Sequence, residues 1–162
     1  MKKIILLFLM FSAIVFAEWE YSIHHNDYGV MFNDFTVYDY ETASQLTVGV
    51  TLDIGLGYCG IHIFNDKIKI RNNYALYIET SDDYVKYNIF KKDIENKVIR
   101  IQNLDEYNRG DRLIKMLISA EMLELHNNDT GKLLATFDLE GLKEIIEQKL
   151  GNSDWYKHKL ND

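Results

Sequence analysis

The sequence predicts a mainly β domain, an antiparallel β-sandwich or jelly-roll-like barrel, finished by a short helix and a C-terminal amphipathic helix. Three observations carry this. From Trp19 to Ile101 apolar and polar residues alternate with period two. Clusters of Asn, Asp and Gly cut that stretch into short runs. Helical spacing begins only after Gly110.

The elements follow in order. Trp19–Ile23 and Phe35–Tyr40 read as strands around the turn Asn26-Asp27-Tyr28-Gly29. Gln45–Asp53 alternates most cleanly, with Leu46, Val48, Val50 and Leu52 on one face. Ile54-Gly55-Leu56-Gly57 turns the chain into Tyr58–Phe64, which places Cys59, Ile61 and Ile63 inward and His62 outward. Ile68 and Ile70 mark a short strand, then Tyr74, Leu76 and Ile78, then Val85, Tyr87 and Ile89, and finally Val98–Ile101. Asp111 is expected to cap a short helix bearing Leu113, Ile114, Met116 and Leu117. Glu121–His126 and Leu133–Phe137 form a hairpin. Leu139, Leu142, Ile145, Ile146 and Leu150 then recur at helical spacing up to Gly151, placed as a C-terminal glycine.

The ends of the chain divide it into a leader, 1–17, a single domain, 18–151, and a tail, 152–162. Lys2-Lys3 precede an apolar stretch of about 14 residues, and Val15 and Ala17 place small residues before Glu18. That is the make-up of a cleavable signal peptide, and it is shorter than the roughly 20 residues a spanning helix needs. Glu18 rather than cysteine follows the cut, which argues against a lipid anchor. Export follows, with the periplasm of a bacterium as the expected address and the cell surface or medium as the others. Cys59 is the single cysteine, so no internal disulfide forms and a buried thiol or an intermolecular bridge is left.

Phe137, Leu139 and Gly141 with Leu142 after them resemble the ending of the invasion-associated locus B family and related exported bacterial β-sandwich proteins. In that family a Phe-x-Leu-x-Gly-Phe stretch leads into a short helix; Leu142 stands where the second aromatic would be. The resemblance covers about a quarter of the mature chain. It implies a sandwich on which Phe137 and Leu139 seat the last helix, and an exported accessory role without catalytic residues to transfer. The paired cysteines typical of the family are absent.

Charge narrows the partners. Without Lys2 and Lys3 the chain has 16 basic and 25 acidic residues, a net −9, which argues against nucleic acid and anionic lipid as main partners. Tyrosines stand out: Tyr38 and Tyr40 early, and Tyr77, Tyr84 and Tyr87 in the middle, with Tyr77 on the face opposite Tyr74, Leu76 and Ile78. A tyrosine gives a rigid apolar face and a hydroxyl, so these five are the expected contacts to a protein, peptide or envelope component. Ordinary cross-strand packing is the alternative.

His24, His25 and Asp27 are the densest potential metal ligands, and they support the alternative of a metal- or small-ligand-binding periplasmic protein. Neighbours in a strand point to opposite faces, so His24 and His25 would need a distant third ligand. No cofactor is expected. Gly55-x-Gly57-x-x-Gly60 has the spacing of a dinucleotide fingerprint but lacks the following helix. No Gly-x-Ser-x-Gly elbow is present. The expectation is therefore a non-enzymatic binding protein, with a hydrolase as a further alternative. Lys86, Lys91, Lys92, Lys97 and Arg100 read as a solvated sheet edge.

Overall fold

The computed structural model describes residues 18–25, 27, 29–52, 59–103 and 108–160. The leader expected at 1–17, Tyr28, and the turn bearing Gly55 and Gly57 lie outside the described residues.

Among the described residues ten strands form two antiparallel sheets. They are β1 (Glu20–His25), β2 (Met31–Asp39), β3 (Ser44–Val50), β4 (Gly60–Phe64), β5 (Tyr74–Glu79), β6 (Tyr84–Asn88), β7 (Ile94–Glu95), β8 (Val98–Gln102), β9 (Met122–Asn127) and β10 (Lys132–Asp138). One sheet has six strands in the order β1-β2-β3-β4-β8-β7, the other four in the order β10-β9-β5-β6. The β-sandwich expected from the alternation is therefore what forms, without closure into a barrel among the described strands. Helix α1 (Arg109–Leu117) joins the sheets and α2 (Leu142–Leu150) follows the last strand.

Period two decides which residues lie between the sheets. In the larger sheet Phe35 pairs with Val48, Val37 with Leu46, Val48 with Ile61 and Ile61 with Ile101. Phe35, Leu46, Val48, Ile61 and Ile101 are wholly buried. Leu76 pairs with Leu125 and Ile78 with Leu123 on the smaller sheet's inner face. Each such side chain contributes roughly 1.5–3 kcal/mol by leaving water. Cys59, Leu113, Ile114, Leu117, Phe137, Leu139, Leu142 and Ile146 join the same core.

Several boundaries differ from the expectation. Residues 68–70 form no strand: Ile68 plugs the core while Ile70 is 58% exposed, because the segment bends around the Tyr74 hydroxyl, which accepts the Lys69 N–H at 2.7 Å. Helix α1 opens at Arg109 after Asn108, whose φ is +56°, so Asp111 lies inside the first turn rather than at the cap. Gly110 presses on the Cys59 carbonyl, and no side chain fits between them. Gly151 does cap α2 after Leu150, as expected, but in the right-handed conformation at φ −57°, with its N–H bonded to the Glu147 carbonyl. A left-handed glycine stands instead at the other end of α2: Gly141, its N-cap, at φ +86°. Leu139 precedes that helix, buried beside Phe137.

The tail docks. A π-helical turn, Tyr156–Leu160, buries Trp155, Tyr156 and Leu160. Trp155 Nε1 donates to Asp111 Oδ1 at 3.1 Å, which ties the tail to α1. Part of the basic group also has structural work: Lys91 Nζ donates to the carbonyls of Arg71 (2.8 Å) and Asn72 (2.6 Å).

Candidate functional site

The five tyrosines do not share one surface. Tyr77 and Tyr84 lie on the outer face of the smaller sheet, their rings 5.5 Å apart. His126 meets Tyr77 edge-on at 4.6 Å, Lys86 Nζ stands 5.5 Å above it, and the Tyr84 hydroxyl donates to Glu124 at 3.2 Å. Glu124 also lies 2.8 Å from His126 Nε2, so carboxylate, imidazole and both rings contact one another. Tyr87 faces the other way, partly buried against the core, because it alternates in phase with Val85 and Ile89. Its hydroxyl accepts from Arg109 Nε at 3.1 Å.

Arg109 was not singled out by sequence, yet it organises one margin of the sandwich. Nη1 and Nη2 each donate to Asp93 at 2.8 Å, and the guanidinium lies 4.7 Å from the Phe90 ring centre. Two parallel charge-assisted bonds of this kind are strong and directional. They outweigh burial and raise the guanidinium's pKa further. Asp93 is 3% exposed, so the margin where β6 meets β7 is sealed.

Tyr38 and Tyr40 stand at the opposite margin, where β2 passes β10. Asp39 folds the β2–β3 turn by accepting from the Glu41 N–H (3.0 Å), the Thr42 N–H (3.2 Å) and the Thr42 hydroxyl (2.7 Å). Its second oxygen also accepts the Thr136 N–H of β10 at 2.9 Å. Burial would raise this carboxyl, but those bonds prevail and hold it below its ordinary value. Asn65, fully buried, donates to the Leu134 carbonyl (3.2 Å) and to Ser44 (2.7 Å). Side chains thus occupy part of the β10 edge, which discourages another strand from pairing there.

Outside these bridges runs an open groove of about 800 Å³, lined by Tyr38, Tyr40, Val37, Met122, Leu133 and Ala135 among others. A register shift between Leu133 and Ala135 lets Leu134 and Ala135 both go inward and leaves Leu133 43% exposed at the groove. Tyr40 is 85% exposed and stacks on Tyr38 at 5.8 Å. The charged groups in the lining are Glu18, Asp39, Glu41 and Asp138, all acidic.

The histidines separate as strand geometry requires. His24 pairs with Phe32 and His25 with Met31, on opposite faces of β1. His24 Nδ1 lies 2.9 Å from Asp34 Oδ2, and Asp27 is exposed in the turn. No group of three His, Cys, Asp or Glu among the described residues is placed to hold a metal ion. His62 does face outward, half-buried; burial first, then the charges of Arg100 and His24, lower its pKa to about 4. Burial raises the Asp34 carboxyl against the pull of His24.

Cys59 is 3% exposed, with Sγ 3.7 Å from the Thr51 carbonyl. Burial and then the Asp111 charge push its thiol up to about 12, so it stays protonated and inert at neutral pH. The sequence signals for the groove were slight: an exposed-phase tyrosine beside the turn formers Asp39 and Thr42, and an apolar Leu133 next to the hairpin turn. Nothing local paired Asp93 with Arg109. No family model, curated protein or solved structure matches the chain.

Proposed function

We propose that this is an exported binding protein of the bacterial envelope, which holds a basic, apolar-bearing segment of a partner protein in the groove beside Tyr38 and Tyr40. The observation that carries the reading is the pairing of an apolar floor with an all-acidic set of charged lining residues. Aromatic side chains lose little conformational entropy on binding and are enriched at interface centres. Carboxylates around them favour Lys and Arg and speed encounter with a positive partner.

Export rests on the leader pattern at 1–17, and the periplasm is the proposed address. The resemblance of the Phe137–Leu142 ending to exported accessory proteins favours the same reading.

Selection of random twelve-residue peptides on the purified domain tests this. Recovered peptides should carry Lys or Arg next to aromatic or branched apolar residues. Tyr40→Ala and Leu133→Asp should each abolish their capture. Enrichment of acidic peptides, or equal capture by both variants, would overturn the proposal.

A further inference from the structure

A second place in the molecule departs from what folding alone requires. The outer face of the larger sheet holds ionisable groups partly out of water. The Asp34 side chain is 19% exposed and His62 is half-buried. A solvent-facing sheet surface gains no stability from desolvating a carboxylate and an imidazole. Such groups gather where a ligand is bound.

The local sequence explains how they converge. Asp34 of β2 sits opposite Gly49 of β3, and Thr47 lies opposite His62, which lies opposite Arg100 of β8. Gly49 gives the carboxylate its room: a methyl group there would come within 3.2 Å of Asp34 Oδ1. The result is a pocket of about 300 Å³ walled by Asp34, Gln45, Thr47, His62 and Arg100, with Phe64 and Val98 at one end. That volume is at the small end of ligand sites, roughly 300–1,000 Å³.

The chemistry of the wall selects the ligand. One carboxylate, Asp34, and one guanidinium, Arg100, line the pocket; Asp34 lies 2.9 Å from His24 Nδ1, and Arg100 Nη1 pairs with Glu95 at 2.8 Å. The Gln102 amide nitrogen donates to His62 Nε2 at 2.8 Å, so the ring is neutral and its proton is on Nδ1. Gln45 Nε2 donates to the Thr47 hydroxyl at 3.0 Å, which keeps the amide oxygen as an acceptor. Donors and acceptors are thus both present around the pocket, the Thr47 hydroxyl being shared with Thr36 at 3.1 Å, and its lining balances one carboxylate with one guanidinium. Phe64, 40% exposed, adds an apolar platform. An ion would meet the wrong sign at one end or the other. A neutral ring with hydroxyls on its edge and C–H groups on its face meets both demands.

We propose that this face is a saccharide site, in which Asp34, Gln45, Thr47, His62 and Arg100 hydrogen-bond one uncharged sugar residue stacked against Phe64. The site is separate in chemistry from the peptide groove and does not depend on it.

Backbone amide shifts of the labelled domain, followed by NMR during titration, provide the test. The probes are chitotriose, maltotriose and mannotriose, with trigalacturonate and inorganic phosphate as charged comparisons. At least one neutral trisaccharide should saturably move the amides of Thr47, His62, Phe64 and Arg100. His62→Ala and Gln45→Ala should each weaken that binding by about fivefold or more, about 1 kcal/mol, while their spectra otherwise remain native. Gly49→Ala, which crowds Asp34, should weaken it too, and Tyr40→Ala should leave it unchanged. The proposal fails if no neutral probe moves these amides, if only the charged probes do, or if His62→Ala and Gln45→Ala bind as tightly as the parent.

Discussion

The two margins of the sandwich solve the same problem differently. Where β6 meets β7, Arg109 fills the gap with a guanidinium fork on Asp93, a bond to Tyr87 and the face of Phe90. Where β10 passes β2, Asp39 and Asn65 reach only to single backbone groups, Thr136 N–H and Leu134 C=O. The first margin is sealed by groups that satisfy one another in the interior. The second is held at arm's length, and the space left outside the bridges is the groove at Tyr38 and Tyr40. Edges stitched by side-chain-to-backbone bonds leave open space outside them, and a buried ion pair leaves none.

The sealed margin should break hardest. Arg109→Met leaves the Asp93 carboxylate buried without its partner, and urea unfolding should show a loss of about 3–5 kcal/mol. Adding Asp93→Leu should return much of that loss, because the stranded charge is then gone. If the single change costs under about 1 kcal/mol, a typical exposed ion pair, the seal is not what the distances imply. On the open margin, Asn65→Ala removes the donor to Leu134 and Ser44 and should cost about 1–3 kcal/mol.

Proton titration sharpens the contrast further. Asp39 is held below its ordinary value of 3.8, so its bonds to Thr136 and Thr42 contribute fully above that value. The contribution fades as pH falls through the lowered folded value. The stability advantage of the parent over Asp39→Asn should be constant near neutral pH and shrink below about pH 4. An advantage unchanged at pH 3 would contradict this. The smallest effect belongs to Tyr40→Ala, which should stay within about 0.5 kcal/mol of the parent in the same unfolding experiment while losing peptide capture.

Much of the fold was legible because period two is a local signal. Leu46, Val48 and Val50 announce an inner face, and the same phase places Cys59 inward and Tyr77 outward. Tyr87 was legible too, since its phase matches Val85 and Ile89; grouping it with the surface tyrosines by composition obscured that. The two-residue β7 is too short to show a period. Ile68 and Ile70 mimic alternation, but a buried residue two places from an exposed one is no strand without a pairing neighbour. The candidate sites were least legible. The groove needs β2 and β10 side by side across about a hundred residues of chain, and the sheet-face pocket needs β2, β3, β4 and β8 in register. Pairing of that range leaves no trace in neighbouring residues.

The bond from Trp155 to Asp111 has a consequence for the order of events during synthesis. Asp111 is 5% exposed, and Lys159 and Trp155 from the far end complete its surroundings. Until those residues leave the ribosome, α1 has a carboxylate without its indole partner and the core lacks Leu160. The packing around Asp111 is therefore complete only once the segment 155–160 has docked on α1.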